Sequence, residues 1–279
     1  MLKRKIWAAL LAVVLMLGLV GCRESGIDDI SQNLTQYTIE ASYDGDKTVT
    51  TSMQVRYVNA YDVSLSELKF HLYPAAFREG AKFRPVSERE LASAYPQGVN
   101  YGGIQITRVT RGDEAIDVQI DGLDEDILTV PLASEFRPTS SVTVGVDFTL
   151  TLPNVRHRFG KYGSTVNLGN FYPIACMYRE GAFLTDPYYA VGDPFYSAPA
   201  NYQVKLTVPN GLTVATTGAA TQESGETHTT VTASAKAVRD FAAVIGEFEV
   251  TTGQSNGTEV RYYYATDSDP SKSLQAAVD

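Results

Sequence analysis

Apolar and polar residues alternate along much of the chain, which is the pattern of β-strands with one buried face. The clearest run, SVTVGVDFTLTL, places Val142, Val144, Val146, Phe148, Leu150 and Leu152 on one side. Similar runs read YTIEASY, KTVTTSMQVRYVNA, ELKFHLYP, GIQITRVT, AIDVQID, DILTVPL, NYQVKLTVP, TVATTG, THTTVTAS, RDFAAVIGEFEV and EVRYYYAT. Turns rich in Gly, Asp, Asn and Pro separate them. The pattern therefore predicts an all-β, mainly antiparallel protein.

Two short helices interrupt this pattern. Strong helix formers follow Pro85 and predict a helix over Val86–Ala94. Near the end of the chain, Asp269 can cap a helix and Pro270 suits its first position. An apolar stripe begins there with Leu274, Ala277 and Val278. Because the sequence stops before anything would cover the stripe, we expect the natural polypeptide to continue.

A long segment from Pro153 to Asn201 lacks alternation and is rich in Tyr, Phe, Gly and Asp-Pro. Loops of this length inside a compact domain are usually functional or pack on a neighbour. We therefore expect this segment to form a functional or contact surface.

The first residues have the layout of an export signal. Lys3, Arg4 and Lys5 precede the apolar run Ile6–Val20. The run is about 15 residues long, shorter than the roughly 20 that a membrane-spanning helix needs. Its end, Leu-Val-Gly-Cys, resembles the bacterial lipobox, in which the cysteine is acylated and becomes the mature N-terminus. We therefore predict a signal peptide over residues 1–21, lipidation of Cys22, and an exported protein anchored by lipid to a bacterial membrane. An ordinary signal peptide with a chance cysteine is the alternative.

The charge balance argues against a nucleic-acid partner. The formal net charge is −9 at pH 7, and three of the basic residues lie in the leader. No Lys/Arg cluster follows Lys5, whereas binding a phosphate backbone requires a basic patch. An apolar content of 44% is enough for a folded core.

Motifs that would carry catalysis are missing from this sequence. It has no His-Glu-x-x-His, no Gly-x-Ser-x-Gly and no Walker loop. We predict that His71 faces solvent from a strand. Arg156 and Arg158 flank His157 and would oppose a cation there. We predict that Cys176 is a buried apolar residue. His228 lies in a Thr-rich strand. The residues therefore predict no catalytic group, no cofactor and no metal site in this chain.

Several motifs occur in an order that resembles the N-terminal β domain of aminopeptidase N-like zinc metallopeptidases (family M1), closest to their exported bacterial branch. These are an aromatic-Pro pair at Tyr172 and Pro173, an Asp-Pro-Phe segment over residues 193–195, a strand ending in Val-Pro at residues 208–209, and Arg-Asp-Phe at residues 239–241. A strand reading VRYYYAT and a Pro-started helix follow. The resemblance covers roughly residues 37–279.

The resemblance implies a saddle-like, multi-sheet β domain that packs on a thermolysin-like catalytic domain. After the signal peptide, the chain is expected to divide into three parts. Residues 22–36 form a polar flexible spacer, and residues 37–266 form the β domain. Residues 267–279 begin a helix that leads into a catalytic domain absent from this chain. Zinc is expected in that missing domain. The long aromatic segment would face it.

In this family a loop just before the aromatic-Pro pair lines the substrate cleft, often through a glutamine. Here the loop reads STVNLGN and has no glutamine. Asn167, Gly169 and Asn170 are therefore the candidates for contact with a peptide, since asparagine amides offer similar hydrogen bonds. Turn formation by these asparagines is the alternative.

Two functions remain open from the sequence. The first is a non-catalytic N-terminal domain that lines one wall of the peptide cleft of a membrane-anchored aminopeptidase. The second is a stand-alone lipoprotein β module that binds peptide or glycan through a tyrosine-rich surface, comprising Tyr188, Tyr189, Tyr196 and Tyr262–Tyr264. A His-Glu-x-x-His in the reading frame beyond Asp279 would separate them.

The lipobox generates the first prediction. Replacing Cys22→Ala should move the protein from the membrane fraction to the soluble fraction and abolish incorporation of radiolabelled palmitate, because the acylated thiol is lost. Wild-type protein labelled in parallel is the control. Equal palmitate incorporation in the variant would contradict the lipobox interpretation.

Overall fold

A computed structural model describes residues 26–193 and 195–279. Cys22 and the predicted signal peptide lie outside these residues. In the described part of the chain, strands form three sheets and two hairpins. The main sheet contains β1 (Gln36–Tyr43), β2 (Thr48–Val58), β4 (Gly103–Arg111), β5 (Glu114–Ala115), β8 (Ser141–Thr151), β14 (Ala200–Pro209), β16 (Ala219–Ser224) and β17 (His228–Val238).

Two smaller sheets and two hairpins complete the β structure. The second sheet contains β9 (Phe159–Tyr162), β10 (Thr165–Leu168), β15 (Thr213–Thr216) and β18 (Ala243–Gly246). The third contains β3 (Leu65–His71), β6 (Gln119–Asp121), β7 (Ile127–Phe136) and β11 (Ile174–Ala175). The hairpins are β12 (Tyr178–Arg179) with β13 (Ala182–Phe183), and β19 (Glu249–Ser255) with β20 (Thr258–Tyr264).

The strand order of the main sheet is β16-β17-β14-β1-β2-β8-β4-β5. Neighbouring strands are antiparallel except β1 and β14, which run parallel. The prediction of a mainly antiparallel all-β fold is therefore confirmed.

The core follows from the alternation in the sequence. Every second residue of β1 and β2 is buried, and the register aligns these residues with buried positions of the neighbouring strands. One row crosses six strands with every side chain at most 3% exposed: Ala233, Val204, Ile39, Met53, Val146 and Val109. Continuous burial of this kind is the main favourable term in folding.

Within the described residues, three short α-helices and one 3-10 helix precede, connect or follow the strands. They are α1 (Ile27–Ser31), α2 (Leu91–Ala94), α3 (Pro270–Val278) and the 3-10 helix Tyr73–Phe77. The predicted helix over Val86–Ala94 is thus reduced to its last four residues, and residues 88–90 form turns. No side chain caps this helix, so nothing extends it towards Pro85.

The segment predicted as a flexible spacer is partly folded. It includes α1, from which Ser31 is buried, and the Lys236 ammonium lies 2.6 Å from the Asp28 carboxylate. The Asn201 amide donates to the Ser31 carbonyl at 2.8 Å. These contacts tie the described part of the predicted spacer to β14 and β17.

The C-terminal helix begins as the sequence predicts. The Asp269 carboxylate accepts a hydrogen bond from the Lys272 backbone N–H at 3.2 Å, and Pro270 is the first helical residue. Leu274 and Val278 face Gly253 of β19, where a Cβ atom would lie within 3.3 Å of both side chains. Two of the three stripe residues therefore pack on the β19–β20 hairpin, and Ala277 is exposed.

The prediction that His71 faces solvent is wrong. His71 ends β3, is only 3% exposed, and stacks on Tyr73 with ring centroids 4.7 Å apart. Alternation breaks at this point because the chain turns directly into the 3-10 helix, so Phe70, His71 and Leu72 are all buried. Burial lowers the pKa of His71 from 6.5 to about 4, against the opposing effects of the Leu184 carbonyl and Asp186.

The buried imidazole predicts a loss of stability in acid. The folded state holds His71 neutral. The contribution of this residue to the free energy of unfolding is therefore full above its unfolded pKa of 6.5 and is lost as the pH falls towards about 4. Between about pH 7 and pH 5 the wild-type free energy of unfolding should fall by about 2 kcal/mol more than that of a His71→Gln variant. Urea unfolding at both pH values measures this. His228→Gln, which changes an exposed histidine, is the control and should behave as wild type. An equal acid effect in wild type and His71→Gln would contradict the prediction.

Candidate functional site

The three predicted cleft residues lie at the end of the β9–β10 hairpin. Asn167 belongs to β10, opposite Gly160 of β9 and Val244 of β18. Gly169 and Asn170 follow the strand directly. Along β10, Val166 and Leu168 are buried, so Thr165 and Asn167 lie on the opposite, more open face of the second sheet.

That open face forms the floor of a groove of about 610 Å³. Asn167, Gly169 and Val244 contribute to the floor, and Arg156, Arg158 and Tyr162 contribute to its wall. Asn170 is not part of the lining. The structure therefore brings two of the three predicted cleft residues to one surface and places the third beneath it.

Asn167 and Gly169 hold the wall of the groove in place. The Asn167 side-chain amide donates to the His157 carbonyl at 2.8 Å, and the Gly169 backbone N–H donates to the Arg158 carbonyl at 2.8 Å. A Cβ atom on Gly169 would lie 2.9 Å from that carbonyl oxygen, so a larger residue would push this position away from the Arg158 backbone. These two residues therefore have a structural role in addition to lining the groove.

Asn170 is buried, at 4% exposure, and has a positive φ of 51°. Asparagine is one of the few non-glycine residues that adopt this conformation readily. Its amide donates to Oδ2 of Asp240 at 2.9 Å. Direct contact between Asn170 and a ligand would require this side chain to leave its buried position.

Asp240 is the centre of a polar network that the residues alone did not identify. Its carboxylate accepts hydrogen bonds from Asn170, from the Tyr172 hydroxyl at 3.0 Å and from the Phe241 backbone N–H at 2.7 Å. Burial raises the pKa of Asp240, and the Tyr172 and Phe241 hydrogen bonds oppose that change. The signal was present in the sequence as the Arg-Asp-Phe and aromatic-Pro motifs, but only the fold places them together.

The wall of the groove is cationic. Arg156 and Arg158 are exposed, and His157 between them packs against Phe77 with centroids 5.5 Å apart. Burial, reinforced by Arg158, lowers the pKa of His157, while the nearby Glu90 opposes this. Of the two arginines expected to oppose a cation at His157, Arg158 contributes to this lowering of the pKa, after burial.

The described residues offer no ligand set for a metal. Residues 26–193 and 195–279 contain no group of three or more His, Cys, Asp or Glu side chains that could hold an ion. Cys176 is 1% exposed, and burial raises the pKa of its thiol, so the prediction of a buried apolar residue is confirmed. Zinc does not fit the donor groups of this part of the chain.

The tyrosines of the predicted tyrosine-rich surface do not all lie on a surface. Tyr188 is buried and packs edge-on against Tyr73, Phe77 and Phe195. Tyr189 and Tyr196 are about half exposed, at 46% and 50%. Tyr262–Tyr264 belong to β20, where the rings of the first and last stack 5.5 Å apart. The set is therefore divided between the core, a loop and a hairpin.

In the described ranges, no helix is both long and apolar enough to cross a membrane.

The Asp240 network generates a stability prediction. Replacing Asp240→Ala leaves the Asn170 amide and the Tyr172 hydroxyl without their acceptor and removes the shorter of the two hydrogen bonds of the Phe241 N–H, and should lower the free energy of unfolding by about 3 kcal/mol. Chemical unfolding monitored by circular dichroism measures this. Asp193→Ala, at an exposed acid, is the control and should change stability by less than about 0.5 kcal/mol. A similarly small effect of both substitutions would contradict the role of Asp240.

Comparisons with known proteins give matches at the level of structure. No protein-family model matches the chain, and no curated protein matches it in sequence. A mutant of the M1 zinc metallopeptidase from Deinococcus radiodurans is similar, with a TM-score of 0.51 and 15% identity over 84% of this chain and 48% of that one. A two-domain M1 zinc metallopeptidase mutant bound to L-arginine gives a TM-score of 0.51 and 13% identity, with the same coverage. The Deinococcus radiodurans mutant bound to a Tyr-Ser-Ala substrate gives 0.50 and 15%, again over 84% and 48%.

This chain thus spans about half the length of the solved structures that it matches. At this identity the likeness concerns the fold, and it confirms the predicted β fold class. The chain has the mainly antiparallel, multi-sheet β fold that occurs within M1 zinc metallopeptidases.

Proposed function

We propose that this chain is the non-catalytic N-terminal domain of a zinc aminopeptidase-like protein that is exported and anchored to a membrane by lipid. It packs on the catalytic domain of the same polypeptide and lines one wall of the peptide cleft. The observation that carries the proposal is the fold match, which covers most of this chain but about half of each metallopeptidase.

The donor groups of this chain agree with a zinc site that lies in a second domain. The described residues contain no metal-ligand cluster, so the zinc belongs to the catalytic domain in this proposal. Bound zinc in such enzymes polarises a carbonyl and activates a water molecule. The contribution of this chain is to shape the cleft and to exclude water from one side of it.

The groove is the part of the surface that best suits contact with substrate. Its floor contains Asn167 and Gly169, two of the residues that the family resemblance assigns to the cleft. Asn170 directly follows the floor residue Gly169 and is held in the interior by its hydrogen bond to Asp240. In this proposal a peptide lies along the groove, and Asn167 offers its carbonyl oxygen, since its amide group is engaged by His157.

The anchor is the part of the proposal that rests on sequence alone. Cys22 stands behind a basic and apolar leader, and α1 begins only a few residues later. A diacyl or triacyl group on Cys22 would hold the β domain close to the membrane surface. The catalytic domain would then act on peptides outside the cytoplasm.

A stand-alone β module that binds peptide or glycan remains the second candidate. Tyr189 and Tyr196 are exposed aromatic side chains of the kind that such modules use. Burial of Tyr188 removes one member of the proposed binding set.

The decisive experiment compares this chain with the longest natural product of the same gene. Bound zinc, measured by atomic absorption, and aminopeptidase activity should both be found only in the longer product, because the ligands lie outside this chain. Zinc or hydrolysis in this chain alone would contradict the division of labour. Neither property in either product would contradict the enzyme proposal and favour the binding module.

A further inference from the structure

The wall of the groove concentrates positive charge in a protein of formal net charge −9. Arg156 and Arg158 are exposed, whereas His157 turns inward against Phe77 and Tyr188. Both guanidinium groups therefore lie on the solvent side of the same short segment. Two exposed guanidinium groups beside one groove attract anionic ligands locally, even in a protein whose formal net charge is negative.

Hydrogen bonds to backbone groups hold this segment at three successive residues. The Arg156 N–H donates to the Ala94 carbonyl at 2.9 Å. The carbonyls of His157 and Arg158 accept from Asn167 and Gly169, both at 2.8 Å. The two arginines therefore project from a fixed backbone, which reduces the entropy lost when they bind a ligand.

Aromatic rings orient the guanidinium groups. The Arg156 guanidinium carbon lies 4.1 Å from the centroid of the Tyr162 ring, and that of Arg158 lies 4.1 Å from the Phe195 centroid. Stacking of this kind uses the faces of the guanidinium plane and leaves N–H groups at its edge for a carboxylate. One edge N–H of Arg156 donates to the Tyr162 hydroxyl at 2.5 Å.

Acidic groups near the segment neutralise the two arginines unequally. Asp193 lies 4.0 Å from Arg158 and is 79% exposed. The Asp240 carboxylate also interacts electrostatically with Arg158, but it already accepts hydrogen bonds from three donors. Glu90 interacts electrostatically with His157. Among the described residues, no carboxylate lies within 4.0 Å of the Arg156 guanidinium. Of the two arginines, Arg156 therefore lacks the direct carboxylate partner that Arg158 has in Asp193.

We propose that the groove binds the side-chain carboxylate of an acidic peptide, with Arg156 as the main contact and Arg158 as the second. The groove, at about 610 Å³, has the size of a ligand site and far exceeds what a single small anion requires. Its floor of Asn167, Gly169 and Val244 is uncharged and leaves room for a peptide backbone. This inference rests on the proposed function and adds to it a substrate class, peptides with Glu or Asp.

The test measures peptide binding to the purified full chain by isothermal titration calorimetry. Ala-Glu-Ala-amide should bind more tightly than the isosteric Ala-Gln-Ala-amide, and Arg156→Gln should reduce the difference by about threefold to fivefold, the scale of one exposed ion pair. Added salt should reduce it as well. Asp193→Asn, which removes a competing carboxylate, should strengthen binding of the Glu peptide.

Controls separate this site from general electrostatics. Arg137→Gln changes an exposed arginine after β7 and should retain the preference for the Glu peptide. Circular dichroism should confirm that each variant is folded. Equal binding of the two peptides to wild type, or an equal effect of Arg137→Gln and Arg156→Gln, would overturn the inference. Competition by inorganic phosphate at the same concentration as the Glu peptide would also overturn it, because the site would then be a simple anion site.

The measurement distinguishes failure of this inference from failure of the enzyme proposal, because the catalytic domain takes no part in it. If the longer gene product is an active zinc enzyme and this chain does not distinguish the peptides, only the substrate class is wrong. If this chain prefers the acidic peptide and no product hydrolyses peptides, the groove binds as inferred and the enzyme proposal fails.

Discussion

The parallel pairing of β1 with β14 is the constraint on which the rest of the structure depends. It is the one parallel ladder between the strands described, and it joins residues 36–42 to residues 201–207. On one side of it the main sheet continues through β2, β8, β4 and β5, and on the other side through β17 and β16. Long-range pairing of this kind costs loop entropy before it contributes stability, so it must be secured by strong contacts. The stacked rings of Tyr37 and Tyr202, 5.0 Å apart and nearly parallel, provide such a contact within the ladder.

The same tyrosine pair connects the ladder to the candidate site. The Tyr37 hydroxyl accepts a hydrogen bond from the Ala175 N–H at 3.0 Å, and Tyr172 packs edge-on against both Tyr37 and Tyr202. Tyr172 then donates to Asp240, which holds Asn170 below the floor of the groove. A buried polar network is stabilising only when its members are satisfied, and this one supplies three donors to one carboxylate. These contacts thus link the groove to the β1–β14 pairing of the main sheet.

The groove combines a rigid support with an unbalanced charge. Its floor belongs to a sheet of short strands. Most of its wall is the irregular segment over residues 156–158, which hydrogen bonds from the floor residues Asn167 and Gly169 hold in place. This arrangement suits recognition, because functional side chains on irregular segments need a scaffold that limits their motion. Asn167 and Gly169 contribute to the scaffold and to the surface, so their place in the sequence reflects both demands.

The sequence by itself determined the fold class, because period-two alternation is a local property that each strand carries independently of its partners. It also determined the start of α3, since the Asp269 cap and Pro270 act within one helical turn. The short strands β9 to β13 have too few residues to show a period, so the pattern over residues 153–201 does not predict them. The local pattern predicts the wrong environment for His71, because its burial depends on the 3-10 helix and on the Leu184–Asp186 segment, which lies far along the chain.

Only the tertiary structure decided that Asp240 meets Asn170 and Tyr172, and that Arg156 stands beside the groove without a close carboxylate partner. Hydrogen bonds and charge pairs depend on distances in space, and residues about 70 positions apart in the sequence give no local sign that they will be neighbours.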